Sequence, residues 1–167
     1  TLDVYSKRYS NFPLSPAVPW RNVVDDVAGD ESSFGYYGRL VGDGRGEARG
    51  VEVLYQRRMA AGFHALVGGS LSRSRYRDLG GTWRNRTFDN RVVLNATLGF
   101  RPSREWEAGL RFVFAGGRAV VPIDEAASAA AGETVYDVSR AMEQHLPSCH
   151  TLDLRLDRRF YFRNSRL

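Results

Sequence analysis

Long runs in which apolar and polar residues alternate constrain the fold of this chain more than any other feature. The segment WEAGLRFVFAGG, residues 106–117, places Trp106 and Leu110 on one side of an extended chain and Glu107 and Arg111 on the other. Side chains of a β-strand point alternately to its two faces, so this period predicts one apolar and one polar face. A soluble sheet turns the apolar face to a core, whereas an outer-membrane barrel turns it to lipid.

Six segments with this alternation are predicted as strands. They are residues 1–9, 50–58, 63–75, 92–100, 106–117 and 150–162. The links between them alternate in length: three are short, 60–62, 102–105 and 163–165, and three are long, 11–47, 77–91 and 117–149. Long links without regular structure are uncommon in compact domains but usual on the outer side of a membrane barrel. We therefore predict an all-β fold, an antiparallel up-and-down meander of about six long strands that forms a fragment of a transmembrane β-barrel.

Aromatic residues lie close to the short links. They are Phe63, Phe100, Trp106, Phe160 and Phe162. Folding the meander brings these rings to one level, where they form either an aromatic girdle at a lipid interface or a row of core aromatics at one end of a sandwich. The alternation of link lengths favours the girdle.

The polar face of the predicted strands mixes charges of both signs. Its residues are Glu52, Gln56, Arg58, Glu107, Arg111, Asp153, Arg155 and Asp157. In a barrel this face lines the lumen, where water, neighbouring opposite charges or an inserted plug satisfy the charged groups. The interleaving of Asp153 and Asp157 with Arg155 favours a paired polar lattice over a carboxylate for acid–base catalysis.

Composition excludes several classes of protein. The chain is 43% hydrophobic, which is too rich for disorder, and its charge of +5 accompanies no nucleic-acid-binding motif. One cysteine excludes internal disulfides and paired-cysteine zinc sites. The opening residues TLDVYSKRYS do not resemble a signal peptide, and no run of about 18 apolar residues predicts a membrane helix.

The sequence contains only weak candidates for phosphate-binding, metal-binding or catalytic sites. GDGRG, residues 42–46, precedes a predicted strand and opens no helix, so a flexible loop end is favoured over a phosphate loop. His145, Cys149 and His150 lie close together around a proline without a fourth ligand, which favours a polar loop over a metal site. Asp124 with Glu125 is an equally weak pair for catalysis. We therefore predict no enzyme activity, no catalytic or metal-binding residue, no cofactor and no nucleic-acid partner.

The third long link has a helix signal of its own. In DVSRAMEQHLP, either Asp137 or Ser139 is placed to cap a short helix that ends before Pro147.

Several stretches together resemble a known family. They are ARGVEVLYQRR, SLSRSRYRD, FDNRVVLNATLGF, AGGRAVVPIDEAASAAAG and LDLRLDRRFYF. In order and hairpin spacing, these stretches are similar to the C-terminal half of the barrel of a TonB-dependent outer-membrane receptor. The likeness covers nearly all of the chain. It is most specific at FDNRVVLN, residues 88–95, which follows a long loop containing Trp83, and at GVE, residues 50–52.

The resemblance implies a barrel of about 22 strands in the bacterial outer membrane, with an N-terminal plug. Such receptors import large, scarce nutrients such as siderophores, cobalamin or glycans with energy supplied through TonB. Implied partners are outer-membrane lipid, TonB, a plug domain and an unidentified nutrient. The chain shows no plug, no TonB box and too few strands to close such a barrel, so residues 1–167 are expected to be a partial barrel domain, a fragment that does not transport alone.

Ligand contacts in such receptors come partly from the outer loops. Candidates on the long links are Trp83, Arg84, Arg86 and Tyr136. Two other functions remain open at this point. A passive porin or barrel adhesin shares the alternation and the girdle, and a soluble β-sandwich binding module shares the alternation alone.

Overall fold

The computed structural model describes residues 1–26, 38–162 and 165–166. Its strands are β1 (Leu2–Leu14), β2 (Val41–Ala60), β3 (Phe63–Arg77), β4 (Trp83–Asn85), β5 (Val92–Phe100), β6 (Trp106–Ala115), β7 (Ala119–Val120), β8 (Gln144–His145), β9 (Cys149–Arg158), β10 (Tyr161–Phe162) and β11 (Ser165–Arg166). Its α-helices are α1 (Val23–Asp26) and α2 (Glu125–Ala131). None of the helices in these ranges is long and apolar enough to cross a membrane.

The six long strands form one antiparallel sheet in the order β1-β2-β3-β5-β6-β9. The short β4 joins this sheet by pairing with the C-terminal end of β3. Each long strand therefore lies beside the next long strand in sequence, and the predicted meander is confirmed. Strands β1 and β9 form the two edges, and no pairing within the described ranges joins them. The sheet is thus open, with six long strands and two free edges in the described ranges.

The short links are confirmed where the structure describes them. Ala60 pairs with Phe63 across a two-residue turn in which Ala61 and Gly62 have φ of 51° and 76°. Two successive positive φ values define a type I′ turn, whose twist matches that of the strands it joins. A Cβ at Gly62 would in addition meet the backbone oxygen of Arg101. The short link 163–165 lies partly outside the described residues, although β10 and β11 pair across it.

The first long link is shorter than predicted, and GDGRG is not a loop end. Strand β1 continues to Leu14, and β2 already begins at Val41, so the link runs from 15 to 40. Glycine has a weak strand propensity, but here the backbone of Gly44 and Gly46 pairs with β1. This pairing satisfies the peptide groups of the glycine-rich stretch and keeps it extended.

The third long link has its α-helix in another place than predicted. Helix α2 follows Asp124, whose side chain accepts a hydrogen bond from the Ala127 amide, and its alanine-rich sequence favours helix. Downstream, Asp137 caps as predicted, but only a 3₁₀ turn, Val138–Arg140, follows it. Met142 has a φ of 62°, which ends any helical path well before Pro147.

The last predicted strand, 150–162, divides into two. Strand β9 ends at Arg158, and Tyr161–Phe162 pairs separately with Ser165–Arg166. Ala65 is buried within the sheet, but most of the other buried apolar side chains in the described ranges do not lie between the long strands. They gather where the long links meet, around Phe12, Leu14, Tyr76, Ala119 and Met142.

Candidate functional site: the two faces of the sheet and the loop cluster

The register of the six long strands aligns their apolar residues into one continuous face. Leu110 pairs with Leu98 on one side and with Leu154 on the other, and all three occupy the same face. This apolar face consists of Leu2, Val4, Val51, Val53, Tyr55, Phe63, Ala65, Val67, Gly69, Leu71, Val92, Leu94, Ala96, Leu98, Phe100, Trp106, Ala108, Leu110, Phe112, Phe114, Leu152, Leu154 and Leu156. Many of these side chains are exposed, and Leu154 reaches 74%. Among monomeric soluble proteins, so large an exposed apolar surface is rare.

The opposite face carries the residues that the alternation predicted to be polar. Seven of the eight pair there across neighbouring strands: Glu52, Gln56, Glu107, Arg111, Asp153, Arg155 and Asp157. Arg58 follows Gln56 on β2 at a point where the register shifts, between Arg57 and Ala60. All eight lie on the sheet, and whether this face lines a lumen stays a prediction.

Ion pairs connect the short-link end of this polar face. Glu107 accepts hydrogen bonds from Arg101 at 2.6 Å and from Arg159 at 2.8 Å, and Arg155 pairs with Asp157 at 2.7 Å. The side chain of Arg155 remains 78% exposed, so water solvates this lattice and each pair contributes little to stability. This end of the polar face is a solvent-exposed surface with charges of both signs.

A groove of about 380 Å³ lies on this face between β5, β6 and β9, lined by His64, Thr97, Glu107, Arg111, Asp153 and Arg155. His64 stands opposite Gly99, where any Cβ would collide with the imidazole ring. Its Nδ1 is buried without a hydrogen-bond partner in the described part of the chain. Local sequence carries no signal for this contact, because only the register of β3 and β5 places His64 opposite Gly99.

The predicted girdle residues lie beside the short links. Phe63 pairs directly with Phe100, and Trp106 starts β6. Arginines stack on the rings: Arg57 lies 5.5 Å from Phe63, and Arg158 lies 5.1 Å from Trp106 and 4.7 Å from Phe160. The side chain of Phe162 lies outside the described residues. The rings and guanidinium groups together form the end of the apolar face that lies next to the short links.

At the other end of the sheet the three long links pack into what we call the loop cluster. It comprises the buried apolar residues Phe12, Leu14, Tyr76, Ala119 and Met142 and the buried carboxylates Asp25, Asp78 and Asp89. Tyr76 shares the polar face with Ser70, Ser72 and Ser74, because it lies an even number of residues from each on β3. The loop cluster therefore covers the polar face of the sheet at this end and leaves the apolar face open.

Charged hydrogen bonds connect the links of the loop cluster. Asp25, from the first link, binds Arg86 and accepts the Thr87 amide at 3.0 Å. Arg84 donates to Asp78 at 2.7 Å and to the Ala141 carbonyl of the third link at 2.9 Å. These contacts use two of the four predicted ligand-contact residues to join the links.

Trp83 and Tyr136, the other two candidates, are exposed. Trp83 pairs with Arg77 at the C-terminal end of β3, and the centre of its ring lies 5.4 Å from the Arg75 guanidinium. The structure brings Arg84 and Arg86 into one cluster but not these two aromatics. A ligand role for any of the four stays a prediction.

The sequence search missed the buried carboxylates altogether. Asp89 accepts the Ser74 amide and the Arg91 Nε, both at 2.6 Å, while His145 Nε2 lies 3.6 Å away, buried and without a hydrogen-bond partner in the described ranges. Asp137, by contrast, is solvated, and the hydrogen bond from the Ser139 hydroxyl, followed by backbone amides and Arg140, lowers its pKa. In the described part of the chain no group of three His, Cys, Asp or Glu residues is placed to hold a metal ion.

Comparison with known proteins adds no relative. No protein-family model, no curated protein and no solved structure matches this chain.

Proposed function

We propose that the chain forms part of the wall of a β-barrel in the bacterial outer membrane, as a fragment of an active importer of the TonB-dependent receptor type. The single observation that carries the proposal is the apolar face shared by all six long strands, with Arg57 as a cation at its short-link end, opposite a face with mixed charges. A membrane barrel needs this arrangement, because acyl chains cover the outside and water fills the inside.

The dimensions of the apolar face support this placement. On β3 it extends from Phe63 to Leu71, and charged residues follow at Arg73 and Arg75. Eight steps at about 3.3 Å give roughly 26 Å along the strand, or about 20 Å of depth at a tilt near 40°. Most of an apolar band of about 25 Å is therefore covered, and aromatic rings stand at its short-link end.

The positions of the links support the orientation. Short turns occupy one rim and the loop cluster the other, as in outer-membrane barrels with short periplasmic turns and long outer loops. Because the loop cluster packs over the polar face, it would stand at the outer mouth of the lumen. There it would present Tyr136 and the groups around it to an incoming nutrient, while a plug domain fills the lumen and TonB acts from the periplasmic side.

The uptake function rests on the sequence resemblance, since a passive porin or adhesin has the same wall. A plug domain separates these classes. Sequencing the genomic reading frame upstream of residue 1 distinguishes them: a plug domain in the same frame supports the importer, and an uninterrupted series of barrel strands without one contradicts it.

The membrane placement is testable by site-directed spin labelling. With Cys149 replaced by serine, single cysteines are introduced one at a time along residues 107–114 and labelled in phosphatidylcholine vesicles. A lipid-facing wall predicts oxygen accessibility at 108, 110, 112 and 114 and accessibility to a water-soluble nickel complex at 107, 109, 111 and 113. A soluble sandwich predicts low accessibility to both agents at the even positions, because they would be packed in a protein core, and this result would refute the membrane wall.

A further inference from the structure

Towards the long links, the side of the sheet that carries the apolar face becomes strongly cationic. Arg8, Arg49, Arg73 and Arg75, which we call the arginine belt, lie there on three adjacent strands around one carboxylate, Glu47. Glu47 pairs with Arg75 and lies 3.4 Å from Arg49. Four arginines against one glutamate leave an excess of three positive charges.

The belt is arranged so that its cations repel one another. Arg49 and Arg73 stand directly opposite on β2 and β3, a like-charge pair that destabilises a sheet. The side chain of Arg49 is 60% exposed, and Arg73 is exposed without a hydrogen bond or ion pair to any described residue. One step further out Arg45 faces Arg77, which extends the same excess. An anion bound between Arg49 and Arg73 would relieve this repulsion.

A shallow groove of about 610 Å³ joins the belt to the apolar face. Val4, Val51 and Leu71 line its apolar part, and Arg49 and Arg73 line its cationic end. The groove therefore offers an apolar floor and a pair of guanidinium groups to a single ligand. An amphiphile with an anionic head and an acyl chain has the matching chemistry.

We propose that the arginine belt binds the phosphate group of an anionic membrane lipid, with an acyl chain along Val4, Val51 and Leu71. The inference rests on the proposed function, because it requires the apolar face to lie in lipid. A guanidinium group binds phosphate through two parallel hydrogen bonds. Two opposed arginines, Arg49 and Arg73, can donate such bonds to one phosphate group from both sides. Trp83, stacked on Arg75 on this side of the sheet, occupies the interfacial position that tryptophan favours.

The test compares vesicles of phosphatidylcholine alone with vesicles that also contain phosphatidylglycerol, using flotation of the full 167-residue chain. The test variant is Arg49→Gln with Arg73→Gln. The matched control, Arg104→Gln with Arg118→Gln, removes the same charge from exposed positions off the apolar face. Circular dichroism verifies that both retain the strand content of the unmodified chain.

We expect the unmodified chain to prefer the phosphatidylglycerol vesicles. The belt variant should lose roughly 25-fold of that preference, about fivefold for each arginine near a charged surface, whereas the control variant should keep it. An equal loss in both variants would overturn the inference, since net charge alone would then explain the binding. Retention of the full preference by the belt variant would overturn it too, because the lipid phosphate would then be bound elsewhere.

The outcomes separate this inference from the proposed function. Equal binding to both kinds of vesicle would overturn the lipid-phosphate site and leave the membrane wall intact. A chain that floats with neither vesicle and stays a monodisperse monomer without detergent would refute the membrane wall itself, and the inference with it.

Discussion

The sheet exposes leucine while the loop cluster buries aspartate. Leu154 on β9 is 74% exposed, whereas the side chain of Asp25 in the first link is 1% exposed. In the interior strands of the sheet, the strand ladder satisfies the peptide groups, so the side chains do not have to supply those hydrogen bonds. In the described parts of the links the strand pairs are short, β7 with β8 and β4 with β3. Buried carboxylates there accept further backbone amides, that of Ser74 on β3 and those of Thr82 and Thr87 in the second link.

Arginine shows the same contrast within one residue type. Arg86, at 25% side-chain exposure, is bound to a buried carboxylate and lies over the Phe12 ring. Arg155 on the polar face is 78% exposed, and its ion pair with Asp157 is surrounded by water. A buried pair is costly to break because the remaining charge is left without a partner, while an exposed pair exchanges its partner for water.

The largest expected effect is therefore in the loop cluster. Asp25→Asn removes the charge that compensates Arg86 and should lower the free energy of opening this region by about 3 to 5 kcal/mol. Hydrogen exchange at the Thr87 amide measures it, since that amide donates to Asp25. Arg155→Gln is the matched control on the polar face and should leave stability nearly unchanged, because water replaces the lost ion pair. Equal effects at the two sites would abolish the distinction between the regions.

The next effect in size sharpens the contrast between the two faces of the sheet. In a lipid-embedded wall, Leu110→Arg should cost roughly 2 to 4 kcal/mol near mid-membrane, because the charge would face acyl chains. Arg111→Leu, one residue along β6, should be tolerated, because Arg111 lies on the charged face, in register with Thr97 and Asp153. Urea titration of each variant in phosphatidylcholine vesicles provides the comparison. Equal tolerance would mean that the two faces do not differ in solvent.

The smallest expected effect concerns Asp137, a carboxylate of the third link that stays solvated. Its pKa is lowered, chiefly by the Ser139 hydroxyl, so its stabilisation of the turn is present above the unfolded pKa of about 3.9. That stabilisation is lost as pH falls through the lower folded pKa. An NMR titration of the Asp137 carboxyl should show the low pKa, and Ser139→Ala should raise it. An unchanged pKa in that variant would exclude the hydroxyl as the cause.

Much of the sheet was predictable because its signal is local. The alternation along Val92–Phe100 and Trp106–Ala115 gives the strand bounds to within two residues, and the two-residue turn at Ala61–Gly62 follows from the short link. The extension of β2 back to Val41 was not predictable, since glycine-rich sequence favours a loop until a neighbouring strand pairs with it.

The loop cluster was not predictable because its contacts join distant parts of the chain. Asp25 and Arg86 are 61 residues apart, and Arg84 reaches Ala141 across 57. Charged residues on a long link look alike in sequence whether they face solvent, a ligand or each other. Only packing distinguishes them, so Arg84 and Arg86 were chosen as ligand contacts on composition alone.

The sequence by itself determined the two faces of each strand, the meander and the end at which the short turns lie, since side-chain period and link length are properties of neighbouring residues. The tertiary structure alone decided that the apolar stripes coincide across six strands, that the links bury their carboxylates, and that Arg49 stands opposite Arg73. These features depend on register and on long-range packing. A one-residue shift between β2 and β3 would preserve every local pattern, but it would turn the apolar side chains of the two strands to opposite faces and separate Arg49 from Arg73.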